Sequence, residues 1–344
     1  MRRMRRAWIL GAAGAAAVGL AGCWYAHRVE RAQVSLDRAT VEVDKPGLPP
    51  AGLTILHLSD FHFRAKDPVQ EVRLQRLRAL VADERYDILA FTGDLIHNEA
   101  GLPRALAFLS ELRPAIAAFS VPGNRDYVES SFKALVGRPE ERAGLGLADR
   151  VRLALRKTKR TLRRFAGNER TGLALRENDV PAMNAALQAH GFEPLVNRAV
   201  NVKGADYDLW FAGVDDLAHG RPDLVGTLAS VPAGSALVLL VHNPDLWLKG
   251  TRSSASGDRA GPRRADLVLS GHTHGGQIRL PLAGAWYRQG TVVARHHAAG
   301  WFSDGASRLF VSRGLGESFP FRFGAPPQAA LIRLVPARIA EKSE

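Results

Sequence analysis

Cysteine is almost absent from this chain: of 344 residues, only Cys23 carries a thiol. That excludes a disulfide framework and a thiolate metal cage, so any metal site has to be built from nitrogen and oxygen ligands. Compositional bias is missing as well. Hydrophobic residues make up 46% and charged residues 24%, which excludes disordered, collagen-like and low-complexity classes. Nor is there a distributed basic field. The net charge of +13 resides in two places: Arg2, Arg3, Arg5 and Arg6 at the start, and the stretch Lys133 to Arg176, with 13 Lys/Arg against four Asp/Glu. The rest of the chain balances to neutrality, which argues against a protein that wraps nucleic acid, and no nucleic-acid partner is expected.

What is present begins with 20 uncharged residues, Ala7 to Ala26, directly after the four arginines. A helix of that length would just span a hydrocarbon core of about 30 Å. The basic end should then remain cytoplasmic, which places everything after Ala26 across the membrane. Three readings of residues 1–26 stay open. They form an uncleaved anchor, a lipoprotein signal ending in the box Leu20-Ala21-Gly22-Cys23, or a cleaved export signal in which Arg5-Arg6 resembles a twin-arginine motif. Residues 27–51, with Pro46, Pro49 and Pro50, read as stalk and linker. A domain over 52–337 and a short tail over 338–344 complete the expected organisation.

Within that domain one pattern recurs five times. The apolar run Leu53 to Ser59 stops at Asp60-Phe61-His62, and Asp87 to Thr92 stops at Gly93-Asp94. Ile116 to Val121 stops at Pro122-Gly123-Asn124-Arg125-Asp126. Ala236 to Val241 stops at His242, and Asp266 to Ser270 stops at Gly271-His272-Thr273-His274-Gly275-Gly276-Gln277. Short apolar runs without polar alternation are what strands buried on both faces look like. Between them Val72, Leu77, Leu80 and Val81 space one apolar helical face, and Leu102 to Leu112 and Pro181 to His190 give two more. Alternating strands and helices predict an α/β fold with largely parallel pairing, whose ligand site lies beyond the carboxyl ends of the strands.

Those ends deliver Asp60, His62, Asp94, Asn124, His242, His272 and His274. Seven donors are too many for one closed site of about four ligands. They suit two divalent ions about 3.5–4 Å apart that share a carboxylate. Mixed oxygen and imidazole ligation favours Mn, with Fe or Zn as alternatives, over Mg or Ca.

The order Asp-x-His, Gly-Asp, Gly-Asn-His/Arg, His, Gly-His-x-His resembles the calcineurin-like metallophosphoesterases over roughly residues 53 to 335. Phe211-Ala-Gly-Val-Asp-Asp216, Ser312-Arg-Gly-Leu-Gly316 and Arg322-Phe-Gly-Ala-Pro326 look most like the bacterial membrane-anchored or exported branch. The resemblance implies a four-layered αββα sandwich. It also implies Asp60, His62 and His274 on one ion, Asn124, His242 and His272 on the other, and Asp94 bridging. A water activated between the ions would attack phosphorus in line, without a protein nucleophile.

One position departs from the commoner pattern. Where most of the superfamily carries a His after the metal-binding Asn, this chain has Arg125. A guanidinium cannot deliver a proton at neutral pH, but it can clamp a phosphate. Such a site suits a leaving group that needs no proton, as in a pyrophosphate. Gly123-Asn124-Arg125-Asp126 is similar to the UDP-2,3-diacylglucosamine diphosphatases, so Arg125 and Asp126 are candidates for substrate binding and UDP-2,3-diacylglucosamine is the favoured substrate. Alternatively Arg125 faces solvent and His97 or Asp126 acts as the acid. Asp94, Asn124, Arg125 and His242 form the expected catalytic set.

The basic insert over about 133–176 places Val151, Leu155, Leu162 and Phe165 on one helical face, with arginines and lysines on the others. It is either a helix that contacts an anionic bilayer or amphipathic substrate, or a solvated surface helix. Location is therefore expected at the cytoplasmic membrane, with the face left open. The charge rule favours export, whereas a lipid A substrate would require the cytoplasmic side. Under export a cell-envelope phosphoester becomes the alternative substrate. A metal-binding scaffold without catalysis is the alternative of another class.

Overall fold

The computed structural model describes residues 14, 17–130, 174–250, 265–280, 282, 284–286, 298–304 and 307–337. Its strands are β1 (Ser35–Val43), β2 (Leu53–Leu58), β3 (Ile88–Thr92), β4 (Ala117–Val121), β5 (Val128–Ser130), β6 (Ala174–Glu177), β7 (Phe192–Pro194), β8 (Arg198–Lys203), β9 (Asp208–Gly213), β10 (Leu237–Leu240), β11 (Leu267–Ser270), β12 (Arg279–Leu280), β13 (Gly284–Ala285), β14 (Gly300–Asp304), β15 (Ser307–Val311) and β16 (Gln328–Pro336). Two six-stranded sheets carry the molecule, ordered β1-β16-β2-β3-β4-β7 and β14-β15-β11-β10-β9-β8. The strands that end in candidate ligands pair parallel: β2 with β3, β3 with β4, and β10 with β11.

The apolar runs read as doubly buried because both faces are covered. Ile55, Ile88, Ala90, Phe119 and Val121 of the first sheet meet Phe211, Val238, Leu240, Leu267, Leu269 and Phe310 of the second in one cluster between the sheets. Their neighbours Leu56, Leu58, Leu89 and Phe91 point the other way, onto Leu74, Leu77, Phe108, Met183 and Leu187 of three helices. On the outer face of the second sheet, Leu237, Leu239, Val268 and Leu309 pack against Leu228 and Trp247. The layers thus run helix, sheet, sheet, helix, and the period of two along each strand sends alternate apolar side chains to different cores.

The Pro68–Val81 helix is capped by Asp67, which accepts hydrogen bonds from Val69 N and Gln70 N at 3.1 Å each. Its buried face differs from the expected one. Val72 is exposed, while Gln70, Arg73, Leu74, Leu77 and Val81 are buried. Arg73 can be inside because its guanidinium is spent on Glu317, at 2.7 Å, and on the carbonyl of Arg31.

That contact corrects the reading of residues 27–51 as a stalk. Ser35–Val43 is β1, hydrogen-bonded in parallel along the whole of β16. The segment before it is pinned as well. Glu30 Oε1 accepts the Ala325 amide at 2.7 Å, Ala26 O accepts the Arg322 amide at 3.1 Å, and Arg31 Nε reaches Glu317 Oε1 at 2.8 Å. Prolines suggested a loose tether, but the prolines lie after β1, and the Val41 and Val43 side chains enter the core between the sheets. Residues 17–28 are helical. Among the described residues no helix is long and apolar enough to cross a membrane. Residues 1–13, residues 131–173 of the basic insert and the 338–344 tail lie outside the described residues.

Glu317 lies buried between Arg31 and Arg73. Burial alone would raise its carboxyl, but Arg73 and Arg31 hold it below the usual glutamate range. Removing one partner of such a group leaves uncompensated buried charge, so Glu317→Ala should cost about 3–5 kcal/mol in urea unfolding. A lowered carboxyl stabilises the fold above its unfolded value of about 4.3 and loses that contribution as the pH falls through the lowered value. Glu317→Gln should therefore flatten the acid limb of the stability profile. A limb unchanged in Glu317→Gln would show that the pair contributes nothing.

Candidate metal centre

Asp60 and His62 follow β2, Asp94 follows β3, Asn124 follows β4, His242 follows β10, and His272 and His274 follow β11. All seven are buried. Three neighbouring strands of one sheet and two of the other therefore deliver the whole set to one end of the sandwich. The parallel ladders continue past the strand ends and tie these loops together. Asp60 N donates to Gly93 O at 2.9 Å, His62 N to Asp94 O at 2.9 Å, and Gly271 N to His242 O at 3.1 Å.

The turns are sharp enough to force left-handed backbone at five of the seven: Asp60 (φ 55°), His62 (51°), Asp94 (55°), His272 (69°) and His274 (50°). Non-glycine residues hold such angles only where the surroundings impose them, at roughly 1–3 kcal/mol each. Glycine is required at two of the crossings. A Cβ on Gly93 would lie 2.6 Å from Gly123 N and 2.8 Å from His242 Nδ1, and one on Gly271 would lie 1.9 Å from Ser59 Oγ.

The side chains fall into two groups joined at one carboxylate. Asp60, His62, Asp94 and His274 offer ligand atoms within 4.8 Å of one another, as do Asp94, His242 and His272. Asp94 faces both ways, with Oδ2 3.5 Å from His62 Nε2 and Oδ1 3.3 Å from His242 Nε2. Asn124 Oδ1 joins the second group, 2.8 Å from His272 Nδ1 and 3.2 Å from His242 Nε2. In the first group His62 Nε2 and His274 Nε2 approach to 3.0 Å and the rings stack. Asp60, His62 and His274 thus lie on one side of Asp94, and Asn124, His242 and His272 on the other.

Does this set fit divalent cations? Burial holds His62 and His274 well below the usual imidazole range, so both are neutral and carry a lone pair. Asp94 Oδ2 is buried without a hydrogen-bond donor. Burial pushes Asp94 upward, but His242, His62 and His272 outweigh it and keep the carboxyl ionised. His242 Nδ1 lies 2.8 Å from Thr92 O, a contact that requires N–H there and turns Nε2 toward Asp94 and Asn124. A buried carboxylate with a vacant oxygen, ringed by imidazole nitrogens and an amide oxygen, fits two divalent ions sharing Asp94.

Behind Asp60 runs a chain of hydrogen bonds that the motif does not reveal. Ser59 Oγ donates to Asp60 Oδ2 at 2.6 Å, and Thr92 Oγ1 donates to Ser59 Oγ at 2.9 Å. Thr92 Oγ1 therefore accepts from His57 Nε2 at 2.8 Å. Burial holds His57 down to about 3, so it enters this chain as a neutral donor. His272 N completes the cradle, 3.1 Å from both oxygens of Asp60. Fixing a ligand's lone pairs in this way sets its direction toward a metal.

Arg125 is held by its backbone, which donates to Asp94 Oδ1 at 2.7 Å, while its side chain is half-buried. Asp126 does not fit the role in substrate binding expected of it. Its carboxyl is buried, with Oδ2 accepting Gly123 N at 2.8 Å and Oδ1 accepting Ile96 N at 3.0 Å. It shapes the loop that carries Asn124 and Arg125. His97 is half-buried beside this loop.

Residues 53–276 match the family model described as calcineurin-like phosphoesterase. The chain belongs to that family. This phosphoesterase is 26% identical to the uncharacterized metallophosphoesterase YkoQ of Bacillus subtilis, over 86% of this chain and 89% of the relative. It is 27% identical to the uncharacterized metallophosphoesterase YkuE of the same organism, over 97% and 99%. It is also 26% identical to the UDP-2,3-diacylglucosamine pyrophosphatase LpxG of Chlamydia muridarum, over 90% and 92%. Family membership makes it a hydrolase of phosphoesters, and the buried His/Asp cluster is its candidate dinuclear centre.

If the Thr92 hydroxyl orients Asp60, then Thr92→Val, which keeps the shape and loses the hydroxyl, should weaken metal binding about 10-fold or more. Thr92→Ser should restore it. Calorimetric titration with Mn separates the cases, and equal affinities in the two variants would show that the hydroxyl does not position Asp60.

Proposed function

We propose that this phosphoesterase hydrolyses a pyrophosphate or phosphodiester at a site of two divalent ions, Mn being the favoured metal, with UDP-2,3-diacylglucosamine the favoured substrate and UMP and the lipid monophosphate the products. The observation that carries the pyrophosphate choice is Arg125, placed directly after Asn124 with its main chain fixed to the shared carboxylate. When bound, such an ion pair neutralises charge on phosphate oxygens and lowers the pKa of a water. The residues of the chain do the rest. Asp60, His62 and His274 would hold one ion, Asn124, His242 and His272 the other, and Asp94 both. Ser59 and the His272 amide keep Asp60 aimed. His242, turned by Thr92 O, presents its inner nitrogen.

Arg125 reaches phosphate with two parallel donors and keeps its protons. It stabilises negative charge on a departing phosphate without protonating it. A nucleotide phosphate leaves as a stable anion, whereas an alkoxide does not, so the anhydride suits this residue better than a simple ester. The chlamydial LpxG, named for UDP-2,3-diacylglucosamine, supports the same choice at low identity.

Residues 1–26 are proposed to tie the protein to the cytoplasmic membrane, with the basic insert as a second contact. The arginines at the start favour an external catalytic domain, and in that case a cell-envelope phosphoester replaces the lipid A intermediate as substrate. A phosphatase reporter fused after Ala26 decides the face, and activity confined to the external compartment would remove the lipid A reading.

The chemistry is tested with UDP-diacylglucosamine, phospholipids and bis-p-nitrophenyl phosphate in the presence of Mn. Asp94→Ala and Asn124→Ala should abolish turnover of all of them. Arg125→His should lose anhydride activity relative to ester activity by about 10-fold or more, the scale of one charge-assisted phosphate contact. Protein that binds metal but hydrolyses none of these would support a non-catalytic scaffold instead. A ratio unchanged or reversed in Arg125→His would overturn the role given to Arg125.

A further inference from the structure

Beside the metal centre, Arg64 and His97, which no ligand motif includes, lie on the same edge as Arg125. Phe63 and Ile96 form a parallel bridge, and His97 N donates to Phe63 O at 2.9 Å. Arg64 and His97, the next residues along each segment, therefore stand side by side. Ile96 N in turn donates to Asp126 Oδ1 at 3.0 Å, and Arg125 N to Asp94 Oδ1 at 2.7 Å. Arg125 is thereby tied to the segment that carries Ile96 and His97. All three side chains are half-buried. Phe63 directly follows His62, so its bridge to Ile96 sets Arg64 and His97 on the Asp60–His62–His274 side of the centre.

Their lack of partners is what gives the cluster meaning. Two arginines near these segments are spent: Arg104 serves Arg64 O at 2.8 Å and Glu71 at 3.1 Å, and Arg176 pairs with Glu99 at 2.8 Å. Neither the Arg64 nor the Arg125 guanidinium has a carboxylate or carbonyl partner among the described residues, and the His97 ring has no hydrogen bond. Burial and the two neighbouring guanidinium groups hold His97 down to about 3, so it is a neutral donor. Two guanidinium groups that bear on one imidazole and have no acceptor among the described residues leave donors that an anion can satisfy.

We propose that Arg64, His97 and Arg125 form a second anion site at the His62 edge of the metal centre, which takes the phosphate not under attack in a diphosphate substrate. This inference rests on the reading of the enzyme as a diphosphate hydrolase and extends it. One phosphate occupies the ions while its neighbour, across the bridging oxygen, is gripped by two guanidinium groups and an imidazole N–H. A monoester or simple diester has no second phosphate and leaves this site unused. Specificity for a diphosphate then comes from contacts that a monophosphate cannot make.

The test uses the full chain loaded with Mn, and AMP and α,β-methylene-ADP as probes that differ by one phosphate. Calorimetry should show wild type favouring the methylene diphosphate by about 10-fold or more, the scale of one charge-assisted contact. In Arg64→Met that preference should fall about 10-fold, and Arg64→Lys should keep most of it. Metal content and the melting temperature, measured alongside, show whether each variant is intact. A preference that survives in Arg64→Met, or a loss of both nucleotides by the same factor, would overturn the inference. Diphosphate hydrolysis by wild type is measured separately. Selective diphosphate binding without hydrolysis would sink the proposed reaction and keep the site. Hydrolysis that is indifferent to Arg64 would sink the site and keep the reaction.

Discussion

A carboxylate buried as completely as Asp94 is tolerable only where positive charge or hydrogen-bond donors surround it, because removing an ion from water costs several kcal/mol even after the protein relaxes. Asp94 has the Arg125 amide on one oxygen and histidines facing both. That demand fixes the position of everything else. His62 has to come from the loop after β2, His242 from the other sheet, and Arg125 from the turn after β4. The two sheets must therefore be stacked so that their strand ends meet at this point. The core between the sheets enforces that stacking, with Phe119 on Phe211 at 4.7 Å between ring centroids.

The same demand explains why, among the described residues, left-handed non-glycine backbone concentrates here. A chain leaving a parallel strand would ordinarily run on toward the next helix. Turning a side chain back over the strand end within one or two residues takes left-handed backbone, and Asp60, His62, Asp94, His272 and His274 all adopt it. The cost is offset by the ladder bonds that continue past the strand ends and by close approaches that only glycine permits, such as Gly93 against Gly123 N. A centre assembled in this way is set before any ion or substrate arrives, which is what electrostatic stabilisation of a transferring phosphate requires.

How much of this could be read from the chain depends on whether a residue's role is local or relational. The strands were legible because Leu, Ile, Val and Phe without alternation have few other uses, and the ligands because each stands at the end of such a run. The stretch before Leu53 was not legible as a strand. Ser35–Val43 mixes Asp37, Arg38 and Glu42 with Leu36, Val41 and Val43, since one side of this edge strand meets solvent, and its pairing with β16 spans nearly the whole chain. Arg73 and Arg322 are interior arginines that no periodicity would place there; Arg73 is explained by Glu317 and the Arg31 carbonyl, both distant in sequence, and Arg322 by carbonyls of its own loop, Arg313 O at 3.0 Å and Ala325 O at 2.7 Å. Arg64 lies two residues beyond a ligand and carries no motif. Its meaning comes from a bridge between Phe63 and Ile96. Asp126 shows the converse error, a residue adjacent to a motif whose carboxyl is consumed by the loop itself.

The pinning of Glu30 and Arg31 bears on how the site would face a surface. Residues 17–28 are helical, and the clamp onto Glu317 and Ala325 begins two residues later. The loop that receives the clamp also carries Arg322, whose guanidinium lies 3.4 Å from His274 Nδ1 and donates to the Arg313 carbonyl at 3.0 Å. No slack chain separates the amino-terminal helix from the metal centre. A flexible stalk of 25 residues would let a catalytic domain sample a wide range of heights and orientations above its attachment point. Here the path from Ala26 to His274 runs through buried hydrogen bonds and ion pairs. Whatever holds the amino terminus would therefore also fix the direction in which the centre opens, and a substrate embedded in the same surface would have to be presented at that one height.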